Sequence, residues 1–110
     1  MARSLSKPLQ GSLTLLILKT LSRGPLHGYG ITNHILQISD DVLQVEEGSL
    51  YPALHRMEQE GWISSEWATS ETNRRVRFYK LTTKGKRQLE QEEDNWRQVT
   101  AAVTRVLNFV

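Results

Sequence analysis

There is no cysteine in this 110-residue chain, which excludes a disulfide framework and thiolate metal sites. Long apolar runs are missing too. The longest, Leu15 to Leu18, is far short of the roughly 20 residues that cross a bilayer. The opening stretch, MARSLSKPLQGS, carries no apolar signal segment, so a cytoplasmic protein with no membrane partner is expected. Histidine is scarce. His27, His34 and His55 are scattered, and no paired acids stand near them at metal-ligand spacing. No glycine-rich phosphate loop or nucleophile elbow occurs. An enzyme, a metal site and a cofactor are therefore not expected. The length fits one domain with a modest core, for which help from a partner subunit would be natural.

Charge is present but uneven. Residues 74–87 (RRVRFYKLTTKGKR) hold seven of the fourteen Lys and Arg and no acid, whereas Glu90 to Asp94 is acidic. A local basic strip in a chain of net charge +2 fits a localised anionic partner. Its plainer reading is a solvated charge run.

The stretch Glu46 to Ile63 (EEGSLYPALHRMEQEGWI) organises the chain. Leu50, Leu54, Met57 and Gly61 recur at three- and four-residue steps and share one helical face, flanked by Ala53. Gly61 is a natural helix terminator. Pro52 is tolerable only in a first turn, which puts the helix start near Glu46 to Ser49, with Ser49 or an upstream Glu as cap. Opposite the apolar stripe lie Gly48, Pro52, His55 and Gln59. Ser49 and Arg56 take one shoulder of this face, and Tyr51 takes the other. No acid and no large aliphatic residue interrupts it. Small, aromatic, amide and basic groups at a helix N-terminus suit insertion into a DNA major groove. An ordinary amphipathic helix with a quiet outer face is the alternative.

The rest of the chain is read in order. Leu9 to Ser22 predicts a first helix buried on most sides, stopped by Gly24 and Pro25. A second helix is expected from near His27 to about Ser39, with Ile31, Ile35 and Ile38 as its core stripe. Gly28 and Gly30 at its start allow close packing. Asp40 and Asp41 break the pattern, and Val42 to Val45 reads as a short extended segment. After the organising helix, Trp62 to Thr69 alternates as a strand, with Ile63, Ser65 and Trp67 on one face. Ser70 to Asn73 is a polar turn. Arg74 to Leu81 returns as a second strand, with Val76 and Phe78 on one face and Tyr79 and Leu81 on the other. Such a hairpin, carrying Asn73, Arg74, Arg75 and Arg77, is well placed to grip a phosphate backbone.

Thr82 or Thr83 caps a long final helix. Leu89, Trp96, Val103 and Val110 recur every seven residues, Val99 and Val106 sit three residues after two of them, and Leu107 lies beside the seam. A helix from Thr83 to Val110 spans about 40 Å and outruns so small a domain. Part of its stripe must meet another surface, and a second copy of the chain is the natural candidate. The alternative is packing back on its own domain.

The order helix, helix, short strand, helix, strand, turn, strand, long helix is that of a winged helix-turn-helix. The fold class expected is mainly α with a small β-hairpin. Residues 1–82 form the DNA-binding domain and residues 83–110 the dimerisation helix. Within it, GSLTLLILKTLSRGPLHGYGI, EEGSLYPALHRMEQEGWI and RRVRFYKLTTKGKRQLE resemble the PadR family of bacterial transcriptional regulators. The likeness runs from about Gln10 to Glu90. Its sharpest marks are Gly28-Tyr29, the block Gly48 to Pro52, Leu54, the ending Tyr79, Leu81 and Thr82, and Gly85.

The resemblance implies a homodimeric repressor of double-stranded DNA. In such proteins a recognition helix enters the major groove, which transfers to Tyr51 and its neighbours, and a wing contacts the flanking backbone, which transfers to Arg74 and Arg75. With only some twenty residues after Glu90, the chain resembles the family's short kind. Some short members hold flat aromatic compounds between paired tryptophans at the dimer interface, which makes Trp96 the candidate for an effector site. Simple interface packing is the other reading of Trp96. The rival for the whole chain is a winged helix that binds protein, without DNA or effector. The basic wing and the uncharged tip of the third helix argue for DNA.

Overall fold

The computed structural model describes residues 12–109. Among the described residues seven elements follow one another: α1 (Leu13–Leu21), β1 (Leu26–His27), α2 (Gly28–Ile38), α3 (Glu47–Gln59), β2 (Ile63–Thr69), β3 (Arg75–Leu81) and α4 (Thr83–Leu107). The expected stretch of first helix before Ser12 lies outside the described residues, as does Val110. The fold is a winged helix-turn-helix, mainly α, with a small antiparallel sheet.

The core forms where three helices converge on the sheet. Ile17 and Leu18 of α1, Ile31 of α2, Leu50, Leu54 and Met57 of α3, and Ile63 of β2 are almost wholly buried. Tyr79 of β3 and Leu89 of α4 complete the cluster. The helix ends are sharply defined. At the end of α3, the Gly61 N–H donates to Glu58 O and the Trp62 N–H to Met57 O, each at 3.0 Å. Gly61 takes φ +78°, so this is the paired-bond terminator that glycine favours. At the end of α2 the same two-bond pattern runs from Asp40 to Gln37 and from Asp41 to Leu36. There Asp40 and Asp41 both adopt positive φ, which short polar side chains tolerate better than most.

Four expectations need correcting. Val42 to Val45 forms no strand; Val45 is buried, but the segment pairs with no strand among the described residues. The short strand lies earlier, at Leu26–His27, and it makes the sheet three-stranded in the order β1-β3-β2, pairing Leu26 with Tyr79 and His27 with Phe78. Two residues carry no periodicity, so only the partner strand reveals them. Ile38 is 71 % exposed and leaves the α2 stripe to Ile31 and Ile35, because the helix ends there and turns away from the core. Pro52 stands beyond the first turn, sixth in α3. Its missing N–H leaves the Gly48 carbonyl without its helical partner, and both residues are exposed, so water can serve that acceptor. Neither Ser49 nor a Glu caps α3 through its side chain; Glu46 occupies the cap position without such a bond.

Candidate nucleic-acid interface

The outer face of α3 is open. Gly48, Pro52, His55 and Arg56 are exposed, Ser49 is half-buried, and Tyr51 is 47 % exposed. Tyr51 does not point straight out. Its ring leans on the start of α2, where a Cβ at Gly28 would stand 2.5 Å from the tyrosine hydroxyl. Glycine at 28 is thus what lets the tyrosine lie down between α3 and α2. The first turn of α2 is held by its own unusual cap, His27 Nδ1 accepting from the Gly30 N–H at 3.0 Å. The His27 ring stacks near Tyr29 and tilts against Phe78.

The hairpin of β2 and β3 forms the wing. Its turn is tied by the Asn73 N–H to Ser70 O at 2.9 Å and the Ser70 N–H to Arg74 O at 2.7 Å. Asn73 sits at φ +60°, a conformation asparagine accepts readily. The register pairs Trp67 with Arg77 and Thr69 with Arg75. Alternation therefore puts Trp67, Arg75 and Arg77 on one face, and the two guanidinium carbons each lie 5.7 Å from the centre of the indole. Arg77 is further engaged. Its Nε donates to Ser65 Oγ at 2.8 Å and its Nη2 lies 3.8 Å from Glu58 Oε2. Arg74 and Arg75 are exposed and make no salt bridge among the described residues.

Between wing and helices runs an open groove of about 920 Å³, whose lining includes Tyr29, Tyr51, Trp67, Arg74, Arg77 and Phe78. It gathers Tyr51 with two of the wing arginines. Gly48, Ser49, Pro52 and Arg56 line a separate cleft of about 340 Å³ that faces Leu13. Asn73 and Arg75 are exposed on the wing, and His55 on α3, without lining either hollow. Tyr29, Trp67, Phe78 and Tyr79 also line the groove, and sequence alone gives none of these aromatics a site role. Tyr29 is 74 % exposed. Its signal was an aromatic in a helix's first turn, off the Ile31 and Ile35 stripe. Trp67 needed the strand register, which sequence did not supply. Burial raises the pKa of the Tyr79 hydroxyl above its ordinary value, with Arg77 pulling it back down and Glu58 and Tyr51 pushing it up.

The long α4 starts tightly. Thr82 Oγ1 accepts from the Gly85 N–H at 3.0 Å and lies 2.6 Å from Gly61 O, joining the helix start to the end of α3. Leu89 is buried in the chain's own core, and Lys19 Nζ of α1 reaches Glu93 at 3.1 Å. From Asp94 to Phe109 no residue is buried. Trp96, Val99, Val103, Val106 and Leu107 form an uncovered apolar stripe, each at least 45 % exposed. So Leu89 belongs to the domain core and the remainder of the seam to the surface. Among the described residues, no group of three or more His, Asp or Glu could hold a metal ion, and no helix is long and apolar enough to cross a membrane.

Comparison with known proteins agrees with this architecture. Residues 17–91 match the transcriptional regulator PadR-like family. A PadR-like transcriptional regulator from Bacillus cereus is 30 % identical, with 96 % of this chain and all of that one covered at a TM-score of 0.81. A transcriptional regulator from Clostridium thermocellum is 28 % identical over 91 % of this chain and 97 % of that one, with a TM-score of 0.83. A PadR family regulator from Clostridium difficile is 30 % identical over 89 % of this chain, and its whole length is covered at a TM-score of 0.75. Among curated proteins, an uncharacterised protein of Lysinibacillus sphaericus is 24 % identical over 83 % of this chain and 84 % of its own length. With the family match spanning most of the winged helix, the chain belongs to the PadR-like family of transcriptional regulators, DNA-binding proteins and not enzymes.

Proposed function

We propose that this regulator is a cytoplasmic homodimeric repressor that reads a palindromic operator with α3 and grips its flanks with the wing. The observation that carries the reading is the groove that joins Tyr51 of α3 to Arg74 of the wing. Residues 1–82 act as the DNA-binding unit and 83–110 as the dimerisation helix. Gly48, Ser49, Tyr51, Pro52, His55 and Arg56 face base edges and the nearest phosphates. Asn73, Arg74 and Arg75 meet the backbone beyond, and Arg77 acts chiefly by orienting the wing. Tyr29 and Trp67 add flat apolar surface against sugars. Two-fold symmetry would set two α3 helices about 34 Å apart, one turn of DNA.

The dimer is supported by the apolar stripe from Trp96 to Leu107, too large to leave wet on a helix that outruns its domain. Selection of genomic fragments on the immobilised protein, followed by salt titration of the retained fragment, tests the DNA reading. Affinity should fall steeply as salt rises, because phosphate contacts release counterions. Retention of no fragment, or binding that ignores salt, would leave the rival protein-binding reading in its place.

A second reading concerns Trp96. It is 48 % exposed in the middle of the stripe, and across a two-fold axis two indoles would make a slot for a planar aromatic effector. Such a ligand would release DNA by favouring a different spacing of the recognition helices. Titration with planar dyes, comparing wild type with Trp96→Phe and Trp96→Ala, checks it. Dye binding unchanged by Trp96→Ala, with DNA affinity unmoved by the dye, reduces Trp96 to packing.

A further inference from the structure

We propose that Glu58, an acid on the recognition helix, strengthens sequence-specific DNA binding by holding the wing at a set angle to that helix. The proposal rests on the DNA-binding reading above and assigns Glu58, Ser65 and Arg77 as positioning residues. Simple electrostatics argues the reverse, since a carboxylate beside a DNA surface repels phosphates. The geometry decides otherwise.

Glu58 stands in the last turn of α3 with its side chain 28 % exposed. Its Oε2 accepts a 2.7 Å hydrogen bond from Ser65 Oγ on β2. Ser65 Oγ in turn accepts from Arg77 Nε on β3 at 2.8 Å, and Arg77 Nη2 returns to the same carboxylate at 3.8 Å. One carboxylate oxygen thus joins the helix to both strands of the wing. The donors run in one direction, arginine to serine to glutamate, so each bond polarises the next.

The position of this tether matters. Ile63, Tyr79 and Leu81 anchor the base of the hairpin, fully or partly buried against the core. Beyond Ser65, residues Glu66 to Thr69 are all exposed. On β2, Ser65 is therefore the last side chain held before the exposed tip, one step short of the level at which β1 pairs with β3 through His27 and Phe78, and the arginine it holds also braces Trp67. An isolated exposed ion pair contributes little. Here the pair is closed by two short hydrogen bonds, and its loss loosens the wing against α3 while β1 still holds β3. A loosened wing must be ordered when helix and wing engage one site together, and that cost falls on specific binding. Non-specific binding tolerates many wing angles and feels mainly charge.

The test measures affinity for the best-retained genomic fragment and for a random-sequence duplex, at several salt concentrations. Wild type, Glu58→Ala, Ser65→Ala, the double variant and Glu58→Gln are compared, with circular dichroism and thermal melting to confirm folding. Glu58→Ala and Ser65→Ala should each lose roughly three- to tenfold in specific affinity, the range expected for one broken hydrogen-bonded contact. Non-specific affinity of Glu58→Ala should stay level or rise. The double variant should lose no more than the worse single one, because both break one network. Glu58→Gln, which keeps an oxygen for Ser65, should recover part of the loss. If Glu58→Ala binds both DNAs more tightly, the acid is only a repulsive charge and the proposal is overturned. Should Glu58→Ala not fold, Ser65→Ala decides alone, a specific loss supporting the proposal and unchanged binding overturning it. A wild type with no preference for the retained fragment overturns the DNA-binding reading itself, and does so before any variant is compared.

Discussion

Gly85 and Gly48 occupy helices, yet the same substitution should act on them with opposite sign. By helix propensity alone, Gly→Ala stabilises by up to about 1 kcal/mol. At Gly85 an added Cβ would stand 2.0 Å from Trp62 O, and Leu81 closes the other side at 2.9 Å. Overpacking against backbone costs about 3 kcal/mol and outweighs propensity. At Gly48 nothing lies within 4 Å. Gly85→Ala should therefore lower the urea midpoint sharply while Gly48→Ala raises it slightly; equal shifts would refute the close approach at Trp62. Tyr79 makes a second prediction. Its hydroxyl titrates above its ordinary value in the folded chain because burial disfavours the phenolate. Its contribution is then complete below the unfolded value, about 10, and is lost as pH rises through the folded one. Tyr79→Phe should show a shallower loss of stability on the alkaline side, checked by urea melts from pH 8 to 11. Arg74, exposed and in no salt bridge among the described residues, should act uniformly on DNA. Arg74→Ala ought to weaken all sequences alike and flatten the salt slope by about one unit, whereas Tyr51→Ala erodes the preference for one site.

At the level of elements, Thr82 joins the wing to α4 in two ways. Its hydroxyl caps α4 through the Gly85 N–H and also bonds back to Gly61 O. Losing a cap costs about 1 kcal/mol, and the second bond adds to that. Thr82→Ser keeps both bonds and Thr82→Ala loses both, so the serine variant should melt close to wild type and the alanine variant several degrees lower. The α3 terminator was legible in advance, since Gly61 stood where an apolar stripe ended. The capping of α2 by His27 was not, because a histidine accepting through Nδ1 depends on the strand pairing that orients it. For the same reason sequence alone does not announce the two-residue β1 and points to Val42 to Val45 for the short strand instead.

For the whole molecule, the decisive quantity is the apolar face of α4. The molecule measures 57 Å in its longest direction, and no residue from Asp94 to Phe109 is buried. Val99→Glu with Val103→Glu would set charges into any seam formed there, where unpaired burial is strongly destabilising. Analytical ultracentrifugation should find a wild-type dimer at micromolar concentration and a monomer or unfolded chain for the double variant. A monomeric wild type would end the dimer reading. DNA affinity should fall with the dimer, because one recognition unit alone loses the second half-site.

By itself the sequence determined the helices, the hairpin and the basic wing. Each is local: apolar residues at helical spacing, alternation around a polar turn, and cations clustered within fourteen residues of chain. It also marked Tyr51 and Arg74 as candidates, although they lie more than twenty residues apart. Only the tertiary structure decided that these two share a groove, and that Arg77 is tied to Glu58 and Ser65 while Arg74 stays exposed. It likewise decided that Leu89 belongs inside and Trp96 outside, although both occupy one heptad seam. Periodicity reports which residues share a face. What that face meets depends on where helix α1 and the wing end, and such limits are set by packing between segments distant in sequence.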